Sequence, residues 1–341
     1  MTERRALITG ITGQDGSYLA ELLLARGYLV AGLVRSSSRD FPSYIEQLRL
    51  DHRLRLFYSD IRDTQAALHA IAEFKPHEIY NLASQSHVGL SFISAEDTFA
   101  VNHIATRELI NGALAIDATI RIYQASSSEM FGLATAPQTE DTPFNPVTPY
   151  GQSKLLAYQE AVCAPRAIGA YVASGILYNH ESPRRGKNFV TRKITHSLAK
   201  IKSGLQDKLE IGNLDGTRDW GYAKDYVVAM WKILQQEKPE DFIIATGKTH
   251  AVRDVISIAA TALALDITWE GSGIDERGID ANGSTIVSIN PQFYRPVDVT
   301  NLVGDSSKAR ERLDWEPSVS FEELITLMAL SDLTLVATHH E

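Results

Sequence analysis

One cysteine, Cys163, stands in a chain of 341 residues. A lone thiol cannot close an internal disulfide or build a cysteine-based zinc cluster. It fits a reducing compartment. None of the ten histidines falls in an HExxH pattern, and His339 and His340 read as tail. No metal site is expected. No apolar run approaches the roughly 18 residues that a bilayer crossing needs. Met1 to Gly10 enters a strand-like apolar run at once and lacks the build of a signal peptide. A soluble, cytoplasmic protein is expected. Basic charge is also short: Lys and Arg total 33 against 42 Asp and Glu, a net charge of −9. That sign excludes the usual nucleic-acid binder. It leaves room for a phosphorylated small molecule, which a few local cations hold. What is present is ordinary globular composition, 44% hydrophobic and 22% charged. The length suits one large α/β unit or two domains sharing a cleft.

The first half alternates apolar runs with amphipathic stretches. Strands are read at Ala6–Ile8, Leu29–Val34, Leu54–Tyr58, Glu78–Ala83, Ile120–Ala125 and Tyr171–Leu177. Helices fall between them, at Gly16–Arg26 with Leu19, Leu22 and Leu23 on one face, at Thr64–Phe74 and at Thr98–Ala115. Such alternation implies a Rossmann-type, doubly wound parallel sheet. Past about residue 180 Gly, Asn and Arg become frequent. Asp275 to Ser284 reads as a loop, and Ser320 to Leu333 as an amphipathic helix. The expected organisation is a dinucleotide-binding domain over 1–180 and a smaller α/β substrate-binding domain mainly over 181–341. Segments near 215–250 and 285–305 are expected to return to the first.

Ile8-Thr9-Gly10-Ile11-Thr12-Gly13-Gln14-Asp15-Gly16 follows the first strand and opens the first helix. Glycines spaced this way let backbone N–H groups approach a pyrophosphate at a helix N-terminus. The strand-before, helix-after context is what gives the motif weight. The second strand ends Leu33-Val34-Arg35-Ser36-Ser37-Ser38-Arg39, with no carboxylate before Asp40. An acidic residue there would bind a ribose 2′-hydroxyl. Arg35 and the serines suit a 2′-phosphate instead, so NADP is the expected cofactor. Asp60 and Ile61 follow the third strand, near the adenine. Leu82, Ala83, Ser84, Gln85 and Ser86 follow the fourth, on the sheet edge where ligands bind.

Tyr150 and Lys154 stand at i and i+4 and share a helix face. An ammonium near the phenol is expected to lower its pKa and make Tyr150 a base toward a sugar hydroxyl. Ser126, Ser127, Ser128 and Glu129 close the fifth strand. Ser, Tyr and Lys make the triad of the short-chain dehydrogenase/reductase superfamily, which the chain resembles. Glu129 is the informative addition. A ketone at C4 of a hexose acidifies the C5 proton, and a carboxylate here is placed to remove it.

Longer blocks narrow the resemblance. GITGQDGSYLAELLL (10–24), IYNLASQSHV (79–88), YQASSSEMFG (123–132), PYGQSK (149–154), NHESPRRG (179–186), FVTRKI (189–194), RDWGYAKDYV (218–227), DFIIATG (241–247) and YRPVDV (294–299) resemble the GDP-mannose 4,6-dehydratase family, over roughly residues 5 to 330. The resemblance implies C4 oxidation, elimination of water across C5 and C6, and return of the hydride to C6. It implies Ser127, Ser128, Glu129, Tyr150 and Lys154 as catalytic residues. It places Gly10, Thr12, Gly13, Gln14, Asp15, Gly16, Arg35, Asp60, Ile61, Leu82, Ala83, Ser84, Gln85, Ser86, Val101, Lys154, His180 and Arg185 at NADP. Ser86, Asn179, Val190, Lys193, Arg218 and Arg295 are placed at the GDP-sugar.

Two departures stand out. The family usually has Thr at the position of Ser127, and the hydroxyl is retained. Arg39-Asp40-Phe41-Pro42 replaces the family's Ser/Asn/Thr-rich loop, which in relatives helps build a tetramer. The expected assembly is therefore a homo-oligomer, dimer or tetramer. Residues 273–284 vary in length in the family and carry no assignment. Three enzymatic readings stay open: GDP-mannose dehydration, the same chemistry on another GDP-sugar such as a GDP-manno-heptose, and a GDP-hexose 4-reductase or epimerase. Glu129 argues against the last, which needs no C5 base. A non-catalytic dinucleotide sensor would be expected to lose one of Ser127, Glu129, Tyr150 and Lys154. Trp220 and Trp231 read as core or cleft wall and Cys163 as a small core residue. Arg184 and Lys187 receive no role.

Overall fold

The computed structural model describes residues 3–35, 43–293 and 302–338. Seven parallel strands make the main sheet. They are β1 (Arg5–Thr9), β2 (Leu29–Val34), β3 (Leu54–Tyr58), β4 (Glu78–Asn81), β5 (Arg121–Ser127), β6 (Val172–Leu177) and β7 (Asp241–Ile244). Their spatial order is β7-β6-β5-β4-β1-β2-β3. The order reverses between β1 and β4, the switch point at whose carboxyl ends ligands bind in such sheets. β1, β2 and β6 are buried on both faces, which is why they read as continuous apolar runs rather than alternating ones, while the edge strand β3 is half-exposed.

Alternation survives in where the side chains go. Ala6 and Ile8 of β1 face a core with Leu19 and Leu23 of the helix Gln14–Ala25 and with Tyr226, Met230 and Ile233 of the helix Ala223–Leu234. Leu7 faces the opposite core, with Ala67 and Ile71 of Thr64–Phe74 and with Leu109, Ile110 and Ala113 of Thr106–Ile116. Burying each such leucine or isoleucine contributes roughly 1.5–3 kcal/mol.

The later chain builds a second core. A four-stranded sheet runs Thr268–Glu270, Arg277–Ile279, Thr285–Ile289, Leu209–Ile211. Helices Val190–Lys202, Val252–Ala262 and Phe321–Thr338 pack with it through Ile194, Leu198, Val255, Ile256, Leu324 and Met328. Two short ladders join the parts: Trp220–Tyr222 beside Asn179–Glu181, and His250–Ala251 beside Thr217–Arg218. Trp220 is buried and stacks on Phe321 at 5.8 Å.

Four sequence expectations need correction. The strand read over Glu78–Ala83 ends at Asn81, because Thr9 Oγ1 accepts from the Leu82 and Ala83 N–H groups and turns the chain there. The helix read over Thr98–Ala115 is interrupted by a π-turn, Ala100–Ala105. The loop read over Asp275–Ser284 contains the strand Arg277–Ile279. Glycine misled there: a Cβ on Gly278 would lie 2.9 Å from Ile267 Cγ2 and 3.1 Å from Val287 Cβ, so close packing and not a turn selects it. Cys163 is half-buried rather than fully in the core. Among the described residues no helix is long and apolar enough to cross a membrane.

Candidate active site

Gly10 has φ +69°, the left-handed region that glycine alone enters freely. A Cβ there would lie 3.0 Å from Ala83 Cα, and one on Gly16 would lie 2.3 Å from the Gly10 carbonyl oxygen. The loop therefore closes only with glycines. Gly13 then starts the helix Gln14–Ala25 with no side-chain cap. Its first N–H groups and the positive end of its dipole suit an anion at the sheet's switch point. A dinucleotide pyrophosphate fits this cradle. Thr12 lies half-buried in the turn, and Ile61 is buried in the core beneath.

The side chains of that first helical turn are tied elsewhere. His180 Nε2 lies 2.8 Å from Asp15 Oδ2, and its Nδ1 lies 2.7 Å from the Tyr178 carbonyl oxygen. Gln14 Nε2 donates to the His180 carbonyl oxygen at 3.0 Å, while Ser182 Oγ donates to Gln14 Oε1 at 2.7 Å. Burial opposes charge on both partners of the Asp15–His180 pair. Each nevertheless holds the other ionised, Asp15 below and His180 above its ordinary range. The glycine loop is thus fastened to the segment leaving β6. Arg185 pairs with Glu181 at 3.1 Å and stacks over Phe189 at 3.7 Å. Arg184 lies between the Tyr18 and Tyr44 rings, at 4.0 and 4.5 Å, and donates to Ser17 Oγ.

The catalytic candidates meet at the carboxyl end of β5. Thr148 Oγ1 accepts from the Gly151 N–H at 2.9 Å and Pro149 sits in the first turn, which fixes where the helix Pro149–Ala157 begins. Tyr150 and Lys154 follow on one buried face. Ser127 Oγ accepts from the Glu129 N–H at 3.2 Å, capping the turn Ser128–Met130, and Ser127, Ser128 and Glu129 are all buried. A Cβ on Gly151 would lie 2.5 Å from the Glu129 carbonyl oxygen, so the Tyr150 helix rests directly on the Glu129 backbone.

The electrostatics differ from the sequence expectation. Burial pushes the Tyr150 phenol up to about 12, and Glu129 adds to that; Ser127, Arg185 and Ser84 oppose it. Ser127 and Arg185, rather than Lys154, are the main groups that oppose the rise. The Lys154 ammonium donates to the Ala125 carbonyl oxygen at 3.0 Å and lies 5.8 Å from the Tyr150 ring centroid. Burial pulls Lys154 itself down to about 8.

Sequence reasoning missed Asn102, buried in the π-turn. Its Oδ1 accepts from Ser84 Oγ at 2.9 Å and from the Gln85 N–H at 2.8 Å. Its Nδ2 donates to the Gln85 carbonyl oxygen at 3.0 Å and to Ser153 Oγ at 3.2 Å. Ser153 Oγ in turn donates to the Tyr150 carbonyl oxygen at 2.7 Å. One amide therefore joins the loop after β4 to the Tyr150 helix. The only signal in the sequence was a polar residue inside an apolar helical pattern, and π-turns often mark functional sites. Val101 beside it is half-buried against the core.

Of the remaining candidates, Arg35 is exposed at the end of β2, and Asp60 is paired with Arg62 at 3.0 Å. Asn179 opens a short strand beside Trp220. Val190 begins the helix Val190–Lys202, and Lys193 Nζ lies 3.4 Å from the Phe293 ring centroid. Arg218 is buried and donates to the Thr217 carbonyl oxygen at 2.7 Å. Arg295, and the serines at 36–38, lie outside the described residues.

Residues 7–328 match the family described as GDP-mannose 4,6 dehydratase. A Homo sapiens protein named GDP-mannose 4,6 dehydratase is 46% identical over 344 residues, covering 98% of this chain and 92% of that one. A Vibrio cholerae GDP-mannose 4,6-dehydratase is 44% identical over 356 residues, covering 99% and 96%. Among solved structures, a UDP-glucose 4-epimerase from Thermotoga maritima with UDP-glucose superposes with a TM-score of 0.81 at 20% identity, covering 97% and 99%, a likeness of fold.

Proposed function

The chain belongs to the GDP-mannose 4,6-dehydratase family, and we propose that it converts GDP-D-mannose to GDP-4-keto-6-deoxy-D-mannose and water with the cluster at the end of β5. The observation that carries this reading is the buried meeting of Ser127, Glu129, Tyr150 and Lys154 beside a glycine cradle.

A bound nicotinamide dinucleotide supplies hydride acceptance from C4 and hydride return to C6. The chain supplies the rest. Gly10, Gly13 and Gly16 hold the pyrophosphate, and Lys154 the nicotinamide ribose. Tyr150 accepts the proton of the 4-hydroxyl; its phenolate is favoured by Ser127, Ser84 and Arg185. Ser127 donates to the oxygen that becomes the 4-ketone. Glu129 then takes the C5 proton and passes it, directly or through Ser128, to the C6 hydroxyl, which leaves as water. When hydride is returned to C6, C5 is reprotonated, and the proton that Tyr150 took from the 4-hydroxyl balances the one that left in water. Asn179, Val190, Lys193, Arg218 and Arg295 hold the GDP part, with Ser86 beside the sugar. Cations suit a diphosphate despite the chain's net negative charge. We read the cofactor as NADP, from Arg35 at the end of β2, and the assembly as a cytoplasmic homo-oligomer. Exposed Leu90, Ile93 and Ile104 support the latter.

The direct test gives the purified protein GDP-mannose and no external reductant. A 4-keto-6-deoxy product with no net NADPH consumption supports dehydration. Absence of that product would contradict the reading. Gly151→Ala probes the geometry. The added methyl meets backbone at Glu129 and must push the Tyr150 helix away, so kcat is expected to fall on the order of a hundredfold. A wild-type kcat in a folded Gly151→Ala protein would show that this packing does not set the reacting distances.

A further inference from the structure

Asp332 is fully buried on the helix Phe321–Thr338, 140 residues along the chain from Arg192 on the helix Val190–Lys202. Arg192 Nε donates to both Asp332 oxygens at 2.8 Å, and Nη2 lies 2.6 Å from Oδ1. Thr195 Oγ1 donates to Oδ2 at 2.7 Å, and His196 Nδ1 lies 3.5 Å from Oδ1. Burial opposes charge on Asp332, and His196, Arg192 and Thr195 together hold its carboxyl below the ordinary range. Such a pair is weak evidence of stability, because apolar residues of similar size often replace it without loss. Its use lies at the other edge of the guanidinium. Arg192 Nη1 donates to the Pro183 carbonyl oxygen and, at 3.1 Å, to the Arg185 carbonyl oxygen. Beside it, Thr191 Oγ1 donates to Glu181 Oε2, the oxygen that Arg185 Nε faces at 3.1 Å. Phe189, which precedes the helix, lies 3.7 Å from the Arg185 guanidinium. One end of one helix thus fixes Arg185 by its backbone and by its side chain. Arg185 acts in turn on Tyr150, whose rise it opposes, and on Asp15 and His180.

We propose that Arg192, clamped by Asp332 of the C-terminal helix, is a positioning residue: it holds the turn 183–185 so that the Arg185 guanidinium stays within electrostatic reach of Tyr150. This rests on the reading of Tyr150 as the base toward the 4-hydroxyl. A guanidinium is what the place requires. Its planar fork pairs one edge with a carboxylate and keeps an N–H group for the two carbonyls on the other. Lysine brings the same charge to Asp332 as a single point and cannot serve both sides.

The test measures kcat with GDP-mannose, a binding isotherm for GDP-mannose and Tm on the purified full chain. Arg192→Lys keeps a cation beside Asp332, so the helix that carries Val190 and Lys193 stays in place, and GDP-mannose affinity is expected to stay within about twofold. The turn loses its donor, and kcat is expected to fall about tenfold. Arg185→Gln is expected to lower kcat too, and adding Arg192→Lys to it is expected to lower kcat no further, because the two residues act as one unit. Arg192→Met combined with Asp332→Leu removes both charges together, is expected to fold, and is expected to show the same fall in kcat. A wild type that makes no 4-keto-6-deoxy product overturns the dehydratase reading and this proposal with it. An active wild type beside a folded Arg192→Lys or Met/Leu variant of equal kcat overturns the role of Arg192 alone. A further, multiplicative loss on adding Arg192→Lys to Arg185→Gln also overturns it, since that is general loosening and not action through Arg185.

Discussion

Glu129→Gln is expected to bind GDP-mannose and to stop before water is lost. The amide keeps the size of the side chain and its place on the turn after β5, and it cannot accept the C5 proton. General base catalysis contributes about 10²–10⁴ in rate, so kcat is expected to fall by that factor while the nucleotide-sugar affinity changes little. The Ser127 cap on the Glu129 N–H is backbone-directed and survives the change. The check is steady-state kinetics beside a binding isotherm for GDP-mannose. A large loss of affinity with unchanged kcat would make Glu129 a binding residue.

Lys154→Met is expected to be less active and more stable at once. Burial holds the folded ammonium at about 8 against an ordinary 10.5, which costs about 3 kcal/mol at neutral pH. Methionine of similar length removes that cost. It also strands the Ala125 carbonyl oxygen, which loses its 3.0 Å donor, worth about 1 kcal/mol. The net gain of about 1–2 kcal/mol appears as a rise of a few degrees in Tm without ligands. The pH dependence has a definite sign. Between about pH 8 and 10.5 the unfolded chain keeps a proton that the folded chain has released. Wild-type stability gains from Lys154 as pH rises through that window, and the variant lacks the gain. Activity falls on the order of a hundredfold or more, since a charged donor to the reacting complex is gone. A variant that melts lower at neutral pH would show that the ammonium stabilises the fold.

What could be read from the sequence was local. Gly10, Gly13 and Gly16 are legible because a loop between strand and helix leaves no other residue the room. Tyr150 and Lys154 are legible because four residues make one helical turn. The parallel sheet follows from alternating apolar runs, although its seventh strand comes from residues 241–244, beyond a long excursion. What was hidden is contact between distant positions. Asp15 meets His180 and Asn102 meets Ser153 only after the sheet brings its strand ends together. The direction of the Tyr150 pKa shift was hidden for the same reason. Spacing puts Lys154 on its face, but folding aims that ammonium at Ala125 and lets burial dominate the phenol.

The account depends most on Glu129 as the group that strips hydrogen from C5. GDP-mannose carrying deuterium at C5 tests this directly. Wild type is expected to lose the label to water as it turns over and to show a slower elimination than with unlabelled sugar. Glu129→Gln is expected to retain the label in recovered substrate. Loss of the deuterium at the wild-type rate from the Gln variant would contradict the account.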